Sequence, residues 1–121
     1  MLKDLFNEYE ALMAKADVAF NRVQEDHGSC VKCQIQCSDC CHSVFGLFPI
    51  EAAYLHTHFH KMLDVPRRQE AMARGEQAGR ELDEMLERVQ KFNASPELQA
   101  QAMAKERVRC PLLDEEQKCV L

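Results

Sequence analysis

Five of the seven cysteines in this chain stand inside twelve residues, Cys30-Val-Lys-Cys33-Gln-Ile-Gln-Cys37-Ser-Asp-Cys40-Cys41, and no other feature restricts the fold as strongly. Thiols separated by two or three residues converge readily on one ion or cluster, and thiolates are preferred ligands of zinc and of iron–sulfur clusters. Left unprotected, so many neighbouring thiols would oxidise easily. A hydrophobic core draws on Leu, Ile and Val far more readily than on Cys. A disulfide framework suits a secreted mini-protein with an even cysteine count, whereas seven is odd. Metal ligation by thiolates is therefore the expectation for this segment.

Geometry limits how that ligation works. Were the segment a helix, its five cysteines would share one stripe about 100° wide, but eleven rises of 1.5 Å would spread them over about 16 Å. One four-coordinate metal could not collect all five. Either the segment is a loop wrapping the metal, or only three or four of its cysteines ligate. Cys40 and Cys41 are adjacent, and adjacent side chains rarely enter one tetrahedral site. One of them is expected to serve a second metal, act as a redox thiol or pack in the interior. Cys110 and Cys119 lie far off in sequence, where ligands that close a metal site and staple a fold are often found.

The rest of the chain reads as mostly α, a single domain over 1–121 with about four helices. With 121 residues, 46% hydrophobic and 29% charged, it has the composition of a globular domain. Leu2, Leu5, Phe6, Tyr9, Leu12, Met13, Ala16, Phe20 and Val23 recur at three- and four-residue spacing and predict an amphipathic helix over 2–27, with Gly28 as its stop. This helix is a candidate for self-association or for packing within the monomer. Pro49 opens a second helix, with Glu51 in its first turn and Ala52, Leu55, Phe59, Met62 and Leu63 on its buried face. A third helix is predicted from about Pro66 to Asn93, with Ala71, Ala78, Leu82, Met85, Val89 and Phe92 as its seam. Gly75 and Gly79 weaken it or else permit a close helix contact. Ser95-Pro96 predicts a cap and first position for a fourth helix over 96–108, and the tail from Cys110 reads as a short extended hairpin around a polar turn. The abrupt apolar end suggests that the ordered domain continues beyond Leu121.

Net charge −5 without a basic stripe argues against nucleic acid. No window approaches an apolar membrane span, and the charged residues Lys3, Asp4, Glu8 and Glu10 are unlike a signal or transit peptide. A cytoplasmic protein is expected.

The stretch Cys33–Cys41, with Cys-Ser-Asp-Cys-Cys at its centre, resembles the CxxCxxCC or YkgJ-like cysteine-cluster family. The helix start Pro49-Ile-Glu-Ala-Ala and the later Cys110-Pro-Leu-Leu-Asp and Lys118-Cys119-Val resemble its other landmarks, so the likeness covers residues 30–121. It implies a zinc- or iron-chelating domain, one related to a domain of the flagellin lysine methylase. Two departures stand out. Three residues rather than two separate Cys33 from Cys37, and the family continues past the position of Cys119 with a further cysteine.

The functional expectation is a metal-binding protein holding an iron–sulfur cluster, of the [4Fe–4S] type, on Cys33, Cys37, Cys40 and Cys41, with Cys110 and Cys119 closing the site and Cys30 as a further candidate. A structural zinc module is the first alternative. The second is a component of a methyl-transfer or thiol-redox enzyme, which would need a thiol of depressed pKa such as Cys41. The chain is not expected to be an enzyme by itself, and any protein partner is left open. Among other candidates, His42 is a possible ligand or donor to a thiolate, with His27 weaker. His56 and His60, one turn apart near Glu51, read as a solvated face rather than a zinc pair. Arg107 and Arg109 flank Cys110 and either offset thiolate charge or serve solubility. Residues 81–88 read as a charged, solvated helix face.

Overall fold

A computed structural model gives the fold, describing residues 1–92 and 94–121. Four α-helices follow in order: α1 (Leu2–His27), α2 (Pro49–Met62), α3 (Val65–Lys91) and α4 (Pro96–Ala104). The mostly helical class and the four-helix count are as expected. The expected end of the third helix at Asn93 lies outside the described residues.

Local chemistry sets most of these boundaries. Pro49 and Pro96 each occupy the first turn of a helix, where a missing N–H costs nothing. The Glu51 carboxylate accepts the Phe48 N–H at 2.7 Å, fixing the start of α2. Ser95 Oγ accepts the Leu98 N–H at 3.4 Å, as expected of an N-cap. Asp64 does the same for α3, accepting the Arg67 N–H at 3.0 Å, so α3 begins at Val65 and Pro66 sits just inside it. Gly28 follows α1 with right-handed backbone (φ −54°), so the chain leaves through an ordinary turn and not a left-handed stop.

The core is small and built on α3. Ala71, Ala78, Met85 and Val89 line one face of that helix and are buried with Leu63, Val108 and Leu113. Their spacing is the periodic seam expected from the sequence. Phe92, assigned to the same seam, is instead 55% exposed, because the chain turns out of helical geometry there (φ −77°, ψ 87°). Ala52 and Met62 of α2 are also exposed. The covered side of α2 is set by α1, which packs on Tyr54. Phe6 and Tyr9 meet its ring edge-on with centroids 5.3 and 5.1 Å away, and the Tyr54 hydroxyl donates to Glu10 Oε1 at 2.9 Å.

Neither glycine of α3 is required for a close approach. A Cβ on Gly75 would lie 3.9 Å from the Pro111 side chain, an ordinary contact, and one on Gly79 would meet nothing within 4 Å. Gly79→Ala is therefore expected to raise stability by roughly 0.5–1 kcal/mol, measured by urea unfolding.

The fourth helix is shorter than the expected 96–108 and stops at Ala104. Lys105 and Glu106 turn back onto α4, and residues 107–110 are drawn into pairing with the cysteine segment. Tertiary pairing overrides helical periodicity here. The expected hairpin is likewise reduced: no strand is present among the described residues, and the tail makes a turn closed by one antiparallel bridge, Leu113 with Cys119.

Candidate metal centre

The cysteine segment is a loop, not a helix. It runs through turns from Gly28 and tightens into a single 3₁₀ turn at Cys40–His42. The three-residue interval between Cys33 and Cys37 is taken up by a turn in which Cys37 N–H reaches Gln34 O at 3.0 Å and Gln36 adopts left-handed backbone (φ 73°). A non-glycine residue held there is mildly strained.

Two backbone hydrogen bonds join this loop to the tail. Cys110 N–H donates to Cys41 O at 2.7 Å and Val108 N–H donates to His42 O at 3.0 Å, with Ser43 and Arg107 forming an antiparallel bridge. Side chains reinforce the join. Arg107 Nη2 lies 2.7 Å from Asp39 Oδ1 and 3.1 Å from Asp39 O, and Ser38 Oγ donates to Gln117 Oε1 at 2.8 Å. Arg109 donates to Leu113 O and Asp114 O at 3.1 and 2.8 Å. Asp114 Oδ1 in turn accepts the N–H groups of Glu116 and Lys118, both at 2.9 Å. The turn that carries Cys119 is thus set by its own backbone and by Arg109. Arg107 therefore clips the tail to the cysteine loop, whereas Arg109 braces the turn within the tail.

This join sets Cys110 beside Cys41 through their backbones. The half-buried Cys41 has its pKa raised above the ordinary thiol value, first by burial, then by the nearby thiols of Cys40 and Cys110, a hydrogen bond with Cys40, and finally Cys119. Cys30, Cys33 and Cys37 are exposed and are not among the groups acting on Cys41. The thiols that act on Cys41 are thus those of Cys40, Cys110 and Cys119. Among the described residues, no group of three or more His, Cys, Asp or Glu side chains is placed to hold a metal ion. Ligation would require the thiols to lose their protons and the sulfurs to converge.

His42 lies beside the cluster in sequence, and its Nδ1 is 2.9 Å from Ser38 O. A carbonyl only accepts, so Nδ1 carries the proton and the neutral ring keeps its lone pair on Nε2. That is the tautomer metal-binding imidazoles adopt. The other histidines are used differently. His60 Nδ1 is 3.2 Å from the Arg68 guanidinium, His58 Nδ1–H donates to Tyr54 O at 3.0 Å, and Glu51 is committed to the start of α2. His56 and His60 pack edge-on with ring centroids 4.6 Å apart, without Glu51, and both are exposed as expected. A cavity of about 760 Å³ lined by α2, α3 and the tail residues Leu112 and Leu121 contains no cysteine.

The sequence reading missed the Asp39–Arg107 and Ser38–Gln117 contacts. Nothing in sequence signals pairs some seventy residues apart, although Ser38 and Asp39 between the cysteines are turn-forming residues able to make such contacts.

The raised pKa of Cys41 is the reverse of what a nucleophilic thiol needs. In reduced, metal-free protein Cys41 is expected to react with a maleimide more slowly than the exposed Cys30 and Cys33, read by mass spectrometry of timed digests. Labelling of Cys41 ahead of the exposed thiols would mark it as an activated nucleophile.

No protein-family model, curated protein or solved structure matches the chain. No helix among the described residues is long and apolar enough to cross a membrane.

Proposed function

We propose that this chain is a thiolate metal protein, with Cys40, Cys41, Cys110 and Cys119 as its ligands and an iron–sulfur cluster of the [4Fe–4S] type as the bound group. The observation that carries the reading is the backbone join between the doubled cysteines and the tail, Cys110 N–H donating to Cys41 O at 2.7 Å, beside which the thiols of Cys40, Cys110 and Cys119 act on that of Cys41. All-thiolate sets of this kind are typical of zinc and of iron–sulfur clusters. When bound, a cluster would supply one-electron chemistry. The protein's part would be to hold the sulfurs, to shield Cys41 and Cys110 partly from water, and to leave Cys40 and Cys119 at the rim, where a redox partner could approach. Cys37 and His42 are the reserve ligands, Cys37 because Ser38 ties its loop to the turn bearing Cys119. The likeness of residues 30–121 to the cysteine-cluster family supports thiolate ligation in general, and a cytoplasmic location, proposed together with it, would keep the thiols reduced.

A structural zinc site is favoured by a different observation. Seven hydrophobic residues form the buried core of this chain, and small domains with thin cores often rely on a metal staple. A thiol-redox or methyl-transfer component ranks last, given the raised pKa of Cys41.

Elemental analysis and visible absorption of protein purified without oxygen test the reading. Iron with sulfide and a broad band near about 400 nm are expected. Stoichiometric zinc without colour would replace the cluster by the structural module. Absence of both metals, persisting after anaerobic reconstitution, would overturn thiolate ligation altogether.

A further inference from the structure

α1 presents two apolar stripes, and α2 covers only one of them. At about 100° per residue, Phe6, Tyr9 and Met13 fall on one side and are half-buried, with Phe6 and Tyr9 against Tyr54. Leu5, Leu12, Ala16, Ala19 and Val23 form an adjacent stripe about 60° wide, all exposed. Leu5, Leu12 and Val23 are 46%, 62% and 50% exposed. Every residue from Ala14 to the end of the helix is exposed. Such a helical stretch gains most of its stability in proteins from packing of an apolar face.

Charges along the edge of the free stripe indicate what covers it. In heptad terms Leu5, Leu12 and Ala19 are d positions and Tyr9, Ala16 and Val23 are a positions. Glu8, Lys15 and Arg22 occupy the g edge, on the side away from α2. Antiparallel pairing places a against d and g against g. Leu5 then meets Val23 of the second copy and Leu12 meets its Ala16. In the same register Glu8 meets Arg22 of the second copy, twice by symmetry, while Lys15 sits at the dyad opposite its own copy. A parallel pair would instead set Glu8 and Lys15 against Met13 and Phe20, matching no charges.

We infer that the free face of α1 binds a second copy of this chain, as an antiparallel helix pair with reciprocal Glu8–Arg22 contacts. The apolar stripe and the two Glu8–Arg22 pairs agree on one register, outnumbering the single like-charge meeting of Lys15 with its own copy at the dyad, and the interface is isologous as a twofold pair requires. The inference is independent of the metal centre.

Equilibrium sedimentation of the full chain under reducing conditions tests it, since exposed cysteines could otherwise cross-link copies. The expected mass at high concentration is twice 13.9 kDa. Glu8→Arg alone and Arg22→Glu alone should each weaken association about tenfold, since two pairs become repulsive, and the double variant should restore it. Both positions are exposed, and helical circular dichroism should be unchanged in all three. A monomer at every concentration overturns the inference. So does a dimer indifferent to the single reversals, or a double variant no better than either single one.

Discussion

Cys110→Ser is expected to reduce bound metal from stoichiometric to trace amounts, whereas Cys30→Ser leaves it unchanged. Cys110 stands where the tail crosses the cysteine loop, its N–H on Cys41 O at 2.7 Å and its thiol among those acting on Cys41. Cys30 is exposed at the end of the turn after α1 and is not among those thiols. A metal bound across two segments adds its binding free energy to folding, so the loss extends beyond metal content. The thermal midpoint of Cys110→Ser should fall by more than about 10 °C relative to loaded wild type, because several kcal/mol of binding are removed. Amide exchange at Val108 and Cys110 should accelerate at the same time. Inductively coupled plasma analysis, calorimetry and hydrogen exchange read the three effects. Equal metal loss in both variants would move the ligands into the first part of the loop.

Leu113→Ala should cost about 2–5 kcal/mol in urea unfolding. Leu113 is 1% exposed, as is Met85, and they are the two largest fully buried side chains. Its position gives the loss a local consequence. Arg109 holds the Leu113 carbonyl, and the Leu113–Cys119 bridge begins the turn that carries the last thiol. The cavity left by truncation would loosen the support of Cys119, so metal affinity should fall along with stability. Met85→Ala, buried to the same extent on α3, provides the comparison: similar stability loss with a smaller effect on metal. Equal effects of the two on metal affinity would indicate that the tail is not the specific support of the site.

The helices were legible in sequence because their signals are local. Pro49 and Ser95-Pro96 mark starts through backbone chemistry that needs no partner, and the Ala71–Val89 seam marks the one helix whose face forms the core. Errors arose where a distant segment decides. The expected helix over 96–108 loses its last turn because Arg107 and Val108 pair with Ser43 and His42. Ala52 and Met62 satisfy helical spacing, yet the covered arc of α2 is set by α1 meeting Tyr54. At the site, spacing pointed to Cys33, Cys37, Cys40 and Cys41 as the core, with Cys110 and Cys119 closing it and Cys30 as a further candidate. It could not show that the tail crosses the loop at Cys41, because that depends on which carbonyl the Cys110 amide reaches. Cys40 and Cys41, expected to diverge as neighbours, differ in exposure: Cys40 is exposed and Cys41 half-buried, both in the 3₁₀ turn where the tail crosses the loop.

X-ray absorption at the metal edge of anaerobically purified protein reads the ligand atoms themselves. A shell of about four sulfurs near 2.3 Å is expected, abolished in Cys110→Ser and intact in Cys30→Ser. A shell of nitrogen and oxygen alone, or a sulfur shell that survives Cys110→Ser, would contradict the proposed ligation.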